Sequence, residues 1–363
     1  MVIFVLSQEL QELFTDLFIF VYFCVTFITK MKSYQKKLIP IYVVRILIGL
    51  IFLFSGFVKI NDPIGFSYKL DEYFHVFDAS FGLPYSIFGP WSLNLAFFIG
   101  IFETILAINL IFGFAPAFTT TSLLIMIIFF TFLTGYSAVT KKVTDCGCFG
   151  DAIKLTPVQS FVKDVFLAGF IGYLYVFRDN IYPFFSNLIN TILSIAFAIA
   201  IPFYAWFCYN YLPVVDFLPY SVGSDLAYKT TTRGPDGQFL AYGYEPLKST
   251  CGFEEFKGKT LFIVVEDFQK SLPAALNQMI TLCNQLKTKG FQVALLTAST
   301  SDVRNAFIKN LNISFCVVPQ DQTTLKSMIR SNPGLLVLHN GIVKGKFSHK
   351  NIPSIEKIIT LTQ

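Results

Sequence analysis

Two thiols separated by a single residue are the most reactive feature of this chain. The stretch Thr144-Asp145-Cys146-Gly147-Cys148-Phe149-Gly150-Asp151 is short, polar and Gly-rich, and it lies between two long apolar runs. It reads as a loop at a membrane face. It holds two of the seven cysteines. An i,i+2 pair in an extended strand is badly placed for bridging. Gly147 lets the backbone fold back, because it has no Cβ to clash at positive φ. A Cys-Gly-Cys disulfide is then feasible but strained, and strained disulfides tend to be oxidising and labile. Lys141 and Lys142 favour a thiolate, while Asp145 and Asp151 oppose it. Redox-active thiols, a static staple of the loop and a pair of metal ligands are the competing readings. A metal needs about four ligands and this motif supplies two. The chain has three histidines and none lies nearby, so no metal site is expected.

Two charges stand inside the apolar runs. Arg45 lies about 9 Å into the first run and Glu103 about 13 Å from the inner end of the second, at 1.5 Å per residue. Intramembrane ionisable residues are costly and usually pair or line a functional cavity. The similar depths predict a buried Arg45–Glu103 pair. The alternative is an Arg45 that snorkels to the inner surface beside a protonated Glu103. Asn61-Asp62-Pro63 is a turn signal that ends the first helix, and Gly169 and Gly172 read as points of close helix packing.

The elements that must position these groups follow from composition. The chain has 363 residues, 54% hydrophobic and 14% charged, with 43 phenylalanines. A soluble domain carries roughly 25% charge, so this is an integral membrane protein. The net charge of +5 is modest and its lysines are dispersed, which excludes a nucleic-acid patch. The apolar runs at 39–58, 91–112, 117–139, 158–177 and 188–212 are each long enough to span, and none alternates like an outer-membrane strand. The expected fold class is an α-helical polytopic membrane bundle, a four-helix core plus a fifth helix, followed by an α/β domain.

Residues 1–38 are an N-terminal extension. It reads either as a mis-called start, with translation beginning at Met31, or as an extra helix. Both readings leave the basic cluster at 30–37 cytoplasmic. Residues 39–177 hold the four-helix domain and 178–212 the fifth helix. By parity residues 59–90, the Cys-Gly-Cys loop and the C-terminal domain then face outward, where disulfides are permitted. The lysines Lys141, Lys142 and Lys154 on that side run against the positive-inside rule.

Residues 213–258 read as an irregular linker broken by prolines and glycines. Residues 259–363 carry a clear βαβαβαββα pattern, with a hairpin across Asn340-Gly341. Cys283 falls in a helix and Cys316 in a strand, where buried structural cysteines sit; Cys251 precedes the first strand and reads as exposed. The pattern resembles a thioredoxin-like domain, with Asn332-Pro333 where that family keeps a cis-proline. The Cys-x-x-Cys of that family would follow the first strand, and here the segment is Asp267-Phe-Gln-Lys-Ser-Leu-Pro273, without a thiol.

Arg45-Ile-Leu-Ile-Gly49, Phe54-Ser-Gly56 and Lys59-Ile-Asn-Asp-Pro63, followed by helices with Glu103, resemble the DoxX-like membrane proteins. Cys146-Gly-Cys-Phe-Gly-Asp151 is closer to their MauE-type branch, and the added thioredoxin-like tail resembles DoxX-family proteins of Bacteroidetes. The resemblance implies a bacterial inner-membrane protein with a periplasmic C-terminal domain. It implies electron transfer or disulfide formation, with a quinone as the candidate acceptor and an exported protein as the candidate partner. The leading functional reading is a membrane-bound redox protein acting through Cys146 and Cys148, with Arg45 and Glu103 as its intramembrane pair. The alternative is a non-catalytic anchor whose redox-silent thioredoxin-like domain binds or helps assemble a periplasmic partner. A transporter is a weaker third option, since the chain lacks an inverted repeat.

Overall fold

The computed structural model describes residues 39–143, 147–231, 251–252 and 257–363. The N-terminal extension at 1–38 and Cys146 lie outside them. The chain divides into two compact units, Met1–Ala205 and Trp206–Gln363.

The first unit is helical. Helix α1 spans Ile39–Asn61. It ends because Pro63 has no N–H to continue the ladder, and Asp62 caps the next helix by accepting from the Gly65 amide at 2.8 Å. That helix, α2, spans Pro63–Phe81 and stops at Gly82 in the left-handed region, φ 67°. It falls in a stretch read from the sequence as an external loop. Phe66, Leu70 and Tyr73 are buried along one face, at the spacing of an amphipathic helix. A short α3, Tyr85–Phe88, leads through a 3-10 turn into α4, Ser92–Phe112. Helix α5 spans Pro116–Thr140. Helix α6 spans Pro157–Val176 and opens with a capping box between Thr156 and Gln159. Helix α7 spans Asn187–Tyr211.

Among the described residues, four helices are long and apolar enough to cross a bilayer: Ile39–Asn61, Tyr85–Phe112, Pro116–Thr140 and Leu188–Tyr211. The expected span at 158–177 is α6, which is not one of these four. It is 20 residues long and carries Lys163 and Asp164 in its first half. Large apolar side chains such as Phe98, Ile125, Phe166 and Ile199 are exposed on the outside of the unit, as a lipid-facing surface requires.

Glycines set the register of α1 against α4. A Cβ on Gly56 would meet Thr104 Oγ1 at 2.5 Å, one on Gly49 would meet Ile111 at 2.4 Å, and one on Gly100 would meet Lys59 at 3.1 Å. The two helices therefore run antiparallel with their backbones in close approach. Gly169 and Gly172 do not serve this purpose, since a Cβ on either would meet nothing within 4 Å. Helices α5 and α6 are also antiparallel. Thr134 faces Asp164 at one end, while Leu123 and Ile127 share a cluster with Leu167, Ile171 and Leu174 further along.

The second unit is a mixed α/β sheet domain. After α8, Leu226–Thr231, its elements are β1 Lys259–Val265, α9 Pro273–Lys287, β2 Gln292–Thr297, α10 Ser301–Asn310, β3 Cys316–Pro319, α11 Gln322–Met328, β4 Gly334–His339, β5 Ile342–Ser348 and α12 Ile355–Leu361. This is the βαβαβαββα order read from the sequence. The sheet order is β3-β2-β1-β4-β5. Strands β1, β2 and β3 are parallel, and β4 and β5 are antiparallel. Asn340 and Gly341 take φ of 50° and 79°, which makes the hairpin turn type I′. The Asn332–Pro333 bond is cis. Apolar clusters fill both faces of the sheet, one around Leu261, Ile263 and Leu276, the other around Phe262, Val264 and Leu325.

The stretch read as an irregular linker is partly built onto this sheet. Asp225 bridges Ile342, Asp216 pairs with Lys346 at 2.6 Å, and Cys251 is disulfide-bonded to Cys316 across a separation of 65 residues. Cys316 is thus half of a covalent bridge, and the expectation of a buried thiol there is corrected. Sequence alone does not give cysteine connectivity. Cys283 is the buried thiol, fully enclosed, and burial pushes its pKa up to about 12.

Candidate functional site at the Cys148 loop

The site is built from five helices and one loop. Ser55 and Lys59 are four residues apart on α1, so they share a face. Both reach the backbone of the Cys148 loop. Ser55 Oγ donates to the Cys148 carbonyl at 2.9 Å, and Lys59 Nζ donates to the same carbonyl at 3.0 Å. Lys59 also donates to Ser55 Oγ at 2.7 Å and to the Ser55 carbonyl at 3.3 Å. Those three bonds use the three N–H groups of the ammonium.

Lys59 Nζ also stands 3.0 Å from Glu103 Oε2, with both side chains about 2% exposed. Because the Lys59 donors are committed elsewhere, this is an ion contact rather than an aligned hydrogen bond. The Lys59 ammonium lies 5.3 Å above the Phe66 ring centroid and 5.4 Å above that of Phe130, which adds cation–π attraction from α2 and α5.

A second charged pair approaches from α6. Asp164 is 1% exposed and ion-paired with Lys163, and it accepts from Thr134 Oγ1 of α5 at 3.0 Å. Lys163 Nζ lies 5.2 Å from the Phe149 ring centroid, and Lys163 and Cys148 line the same cavity. Phe149 is itself packed on Phe54 at 5.5 Å between centroids. Two glycines let the loop settle. Gly147 and Gly150 take φ of 67° and 49°, and a Cβ on Gly150 would stand 2.8 Å from Val58.

The predicted Arg45–Glu103 pair is not formed. Arg45 is fourteen residues before Lys59 on α1, about 21 Å along the axis. The register of α1 on α4 puts it beside Gly113, past the end of α4, where Arg45 Nη1 donates to the Tyr182 carbonyl at 2.8 Å. Its guanidinium lies 4.7 Å from the Tyr42 ring centroid and 4.2 Å from that of Phe184. The depth estimate failed because α4 and α1 are offset, and because Lys59 is inside the helix rather than in an external loop. Lys59 was visible in the Lys59-Ile-Asn-Asp-Pro63 motif. Lys163 and Asp164 were visible as charges six and seven residues inside an apolar run.

Cys148 is 9% exposed. It lines a cavity of about 20 Å³ together with Ser55, Lys59, Glu103, Lys163 and Asp164, room for about one water. A quinone ring does not fit there, so these residues do not support a quinone beside Cys148. Among the described residues no cluster of His, Cys, Asp and Glu could hold a metal.

The chain is similar to known proteins. Over 176 residues the chain is 25% identical to Protein TlpB of Flavobacterium psychrophilum, a match covering 46% of this chain and 46% of that protein. The match thus spans about half the length of each. Residues 37–177, the stretch that builds the Cys148 site, match the family described as methylamine utilisation protein MauE.

Proposed function

We propose that this chain is a membrane-bound thiol–disulfide redox protein that works through Cys146-Gly147-Cys148. The observation that carries the reading is the anchoring of Cys148. Its carbonyl is held by Lys59 and Ser55, and Lys59 and Lys163 line the same cavity as Cys148. A static loop would not need three buried charges, Lys59, Glu103 and Asp164, and a half-buried Lys163 beneath it, and ammonium groups near a sulfur favour the reactive thiolate.

In the reaction a partner thiolate attacks the Cys146–Cys148 disulfide, forms a mixed disulfide and releases one cysteine as thiolate. The second partner thiol then attacks the mixed disulfide. The partner loses two electrons and two protons and gains a disulfide, and the Cys146/Cys148 pair becomes the dithiol. A second, more oxidising disulfide restores the pair by the reverse exchange.

The setting is the bacterial inner membrane, with the loop facing the periplasm and exported thiol proteins as partners. Helix α6 lies antiparallel along α5 and is about 30 Å long, which supports a crossing in spite of its charges. The Cys251–Cys316 bridge supports an oxidising compartment for the C-terminal domain. Thiol trapping in membranes, with and without reductant, tests the reading. Cys146 and Cys148 should shift together between protected and labelled forms. A pair that stays inert under both conditions overturns it.

A second reading has its own observation. The strand order β3-β2-β1-β4-β5 supports a thioredoxin-like scaffold, and Asp267–Pro273 between β1 and α9 carries no thiol. Such a domain would bind a partner without exchanging electrons. Activity that survives Cys146→Ser with Cys148→Ser would favour it.

A further inference from the structure

The end of α7 is bonded into the C-terminal domain. The second unit begins at Trp206, inside that helix. Ser348 Oγ donates to the Asn210 carbonyl at 2.9 Å, one of the last-turn carbonyls that a helix leaves unsatisfied. Lys350 Nζ donates to Asn210 Oδ1 and lies 5.5 Å from the Tyr209 ring centroid. Leu212 takes φ 82°, turns the chain off the helix and packs against the cluster around Phe262 and Val264. The segment that follows is fixed to β5 by the Asp216–Lys346 pair and by backbone bonds from Gly223 and Leu226.

This segment has two sides. Leu218, Tyr220 and Leu226 are buried in the domain. Val214, Phe217 and Val222 are 58%, 36% and 60% exposed. Residues 211–228 hold two charges, Asp216 and Asp225. Asp216 is neutralised by Lys346, and Asp225 caps α8 by accepting from the Tyr228 amide at 3.2 Å.

We propose that Val214, Phe217 and Val222 form a membrane-docking surface that seats the C-terminal domain in the headgroup layer. The occupant is the bilayer because the patch continues directly from a span that ends in it. Phe207 and Tyr211, exposed on the last turns of α7, stand where aromatic side chains collect at a membrane interface. Apolar patches left outside a fold mark such contacts. The bonds from Asn210 to Ser348 and Lys350 then fix the height of the domain above the lipid, so it works at the surface and not on a flexible reach. The inference does not depend on the thiol chemistry.

The test uses the full chain in phosphatidylcholine nanodiscs, with Trp91→Phe and Trp206→Phe as background. One variant adds Val222→Trp. A control adds Lys309→Trp on α10, which joins β2 to the edge strand β3, about 19 Å from β5 at four strand spacings. Interfacial elements sit about 5–10 Å into the headgroup region, so a headgroup-nitroxide lipid should quench position 222 at least about twofold more than position 309. Acrylamide in the water should show the reverse order. If Val222→Trp does not accumulate, Phe217→Trp carries the test with the same quenchers. Acrylamide quenching equal to the control, with no effect of the nitroxide lipid, overturns the proposal. Shielding from both quenchers also overturns it, since a protein surface such as a second copy would then cover the patch.

Discussion

Lys59 Nζ stands 3.0 Å from Glu103 Oε2, one turn along α1 from the point where Gly56 lets that helix touch Thr104. The close approach and the ion contact depend on each other. A wider gap between α1 and α4 would leave a carboxylate and an ammonium enclosed without compensation, which is the expensive arrangement for buried charge.

Lys59→Met and Glu103→Gln should each destabilise the purified protein by roughly 3–5 kcal/mol, and the double substitution should recover much of the loss. Thermal unfolding in detergent gives the coupling through the mutant cycle. Arg45→Met should add independently to Glu103→Gln, because the two sites are at different levels of the bundle. Coupling of Glu103 to Arg45 rather than to Lys59 would contradict the register described.

Glycine substitution separates the two kinds of helical glycine. Gly56→Ala should destabilise strongly, since its methyl would stand 2.9 Å from the Thr104 backbone nitrogen as well as 2.5 Å from its hydroxyl. Gly169→Ala should be neutral or stabilising, by up to about 1 kcal/mol from helix propensity. Melting temperatures of the two variants against wild type decide this.

Removing the bridge by Cys251→Ser or Cys316→Ser should lower the stability of the C-terminal domain by about 2–5 kcal/mol. Added reductant should lower the wild-type melting temperature toward that of the variants and leave the variants unchanged.

Cys283 makes the C-terminal domain sensitive to alkali. Its folded pKa of about 12 stands above the ordinary 9.0, so folding favours the protonated thiol. The stability from this group is intact below pH 9 and is lost as pH rises toward 12. A thiol reagent at pH 8 should leave Cys283 unlabelled until the protein is denatured. Prompt labelling of the native protein would show the site to be open.

The parts of the fold that repeat a local rule were legible in the sequence. The long apolar runs marked the helices, and the change of period after 259 marked strands and helices in the right order. Asn340-Gly341 marked its turn. Asp62-Pro63 marked the end of α1 because capping chemistry is local. Helix α2 was missed although Phe66, Leu70 and Tyr73 carry its period, because residues 59–90 lie between two apolar runs and were read only as an external loop. The site was half legible. Cys148 stood out by its chemistry, but its supports come from α1, α4, α5 and α6, and only the offset between α1 and α4 decides that Glu103 meets Lys59. Arg45 looked like the natural partner because depth was counted from helix ends that the structure places differently.

The segment ahead of β1 also governs how the sheet can meet other chains. Strands β3 and β5 are its two edges. At β5, the Gly223 amide bonds the Val343 carbonyl at 2.8 Å, the Leu226 amide bonds the Gly341 carbonyl at 2.9 Å, and the Val343 amide bonds the Ser224 carbonyl at 3.0 Å. At β3, the bond from Cys251 to Cys316 holds the chain against the strand. Unpaired edges are where sheets recruit strands from neighbours. Here one is hydrogen-bonded to its own chain and the other is covalently strapped. A strand from a neighbour would have to displace the chain's own segment at β5 or get past the strap at β3. Breaking the single S–S bond would free the β3 edge from its strap.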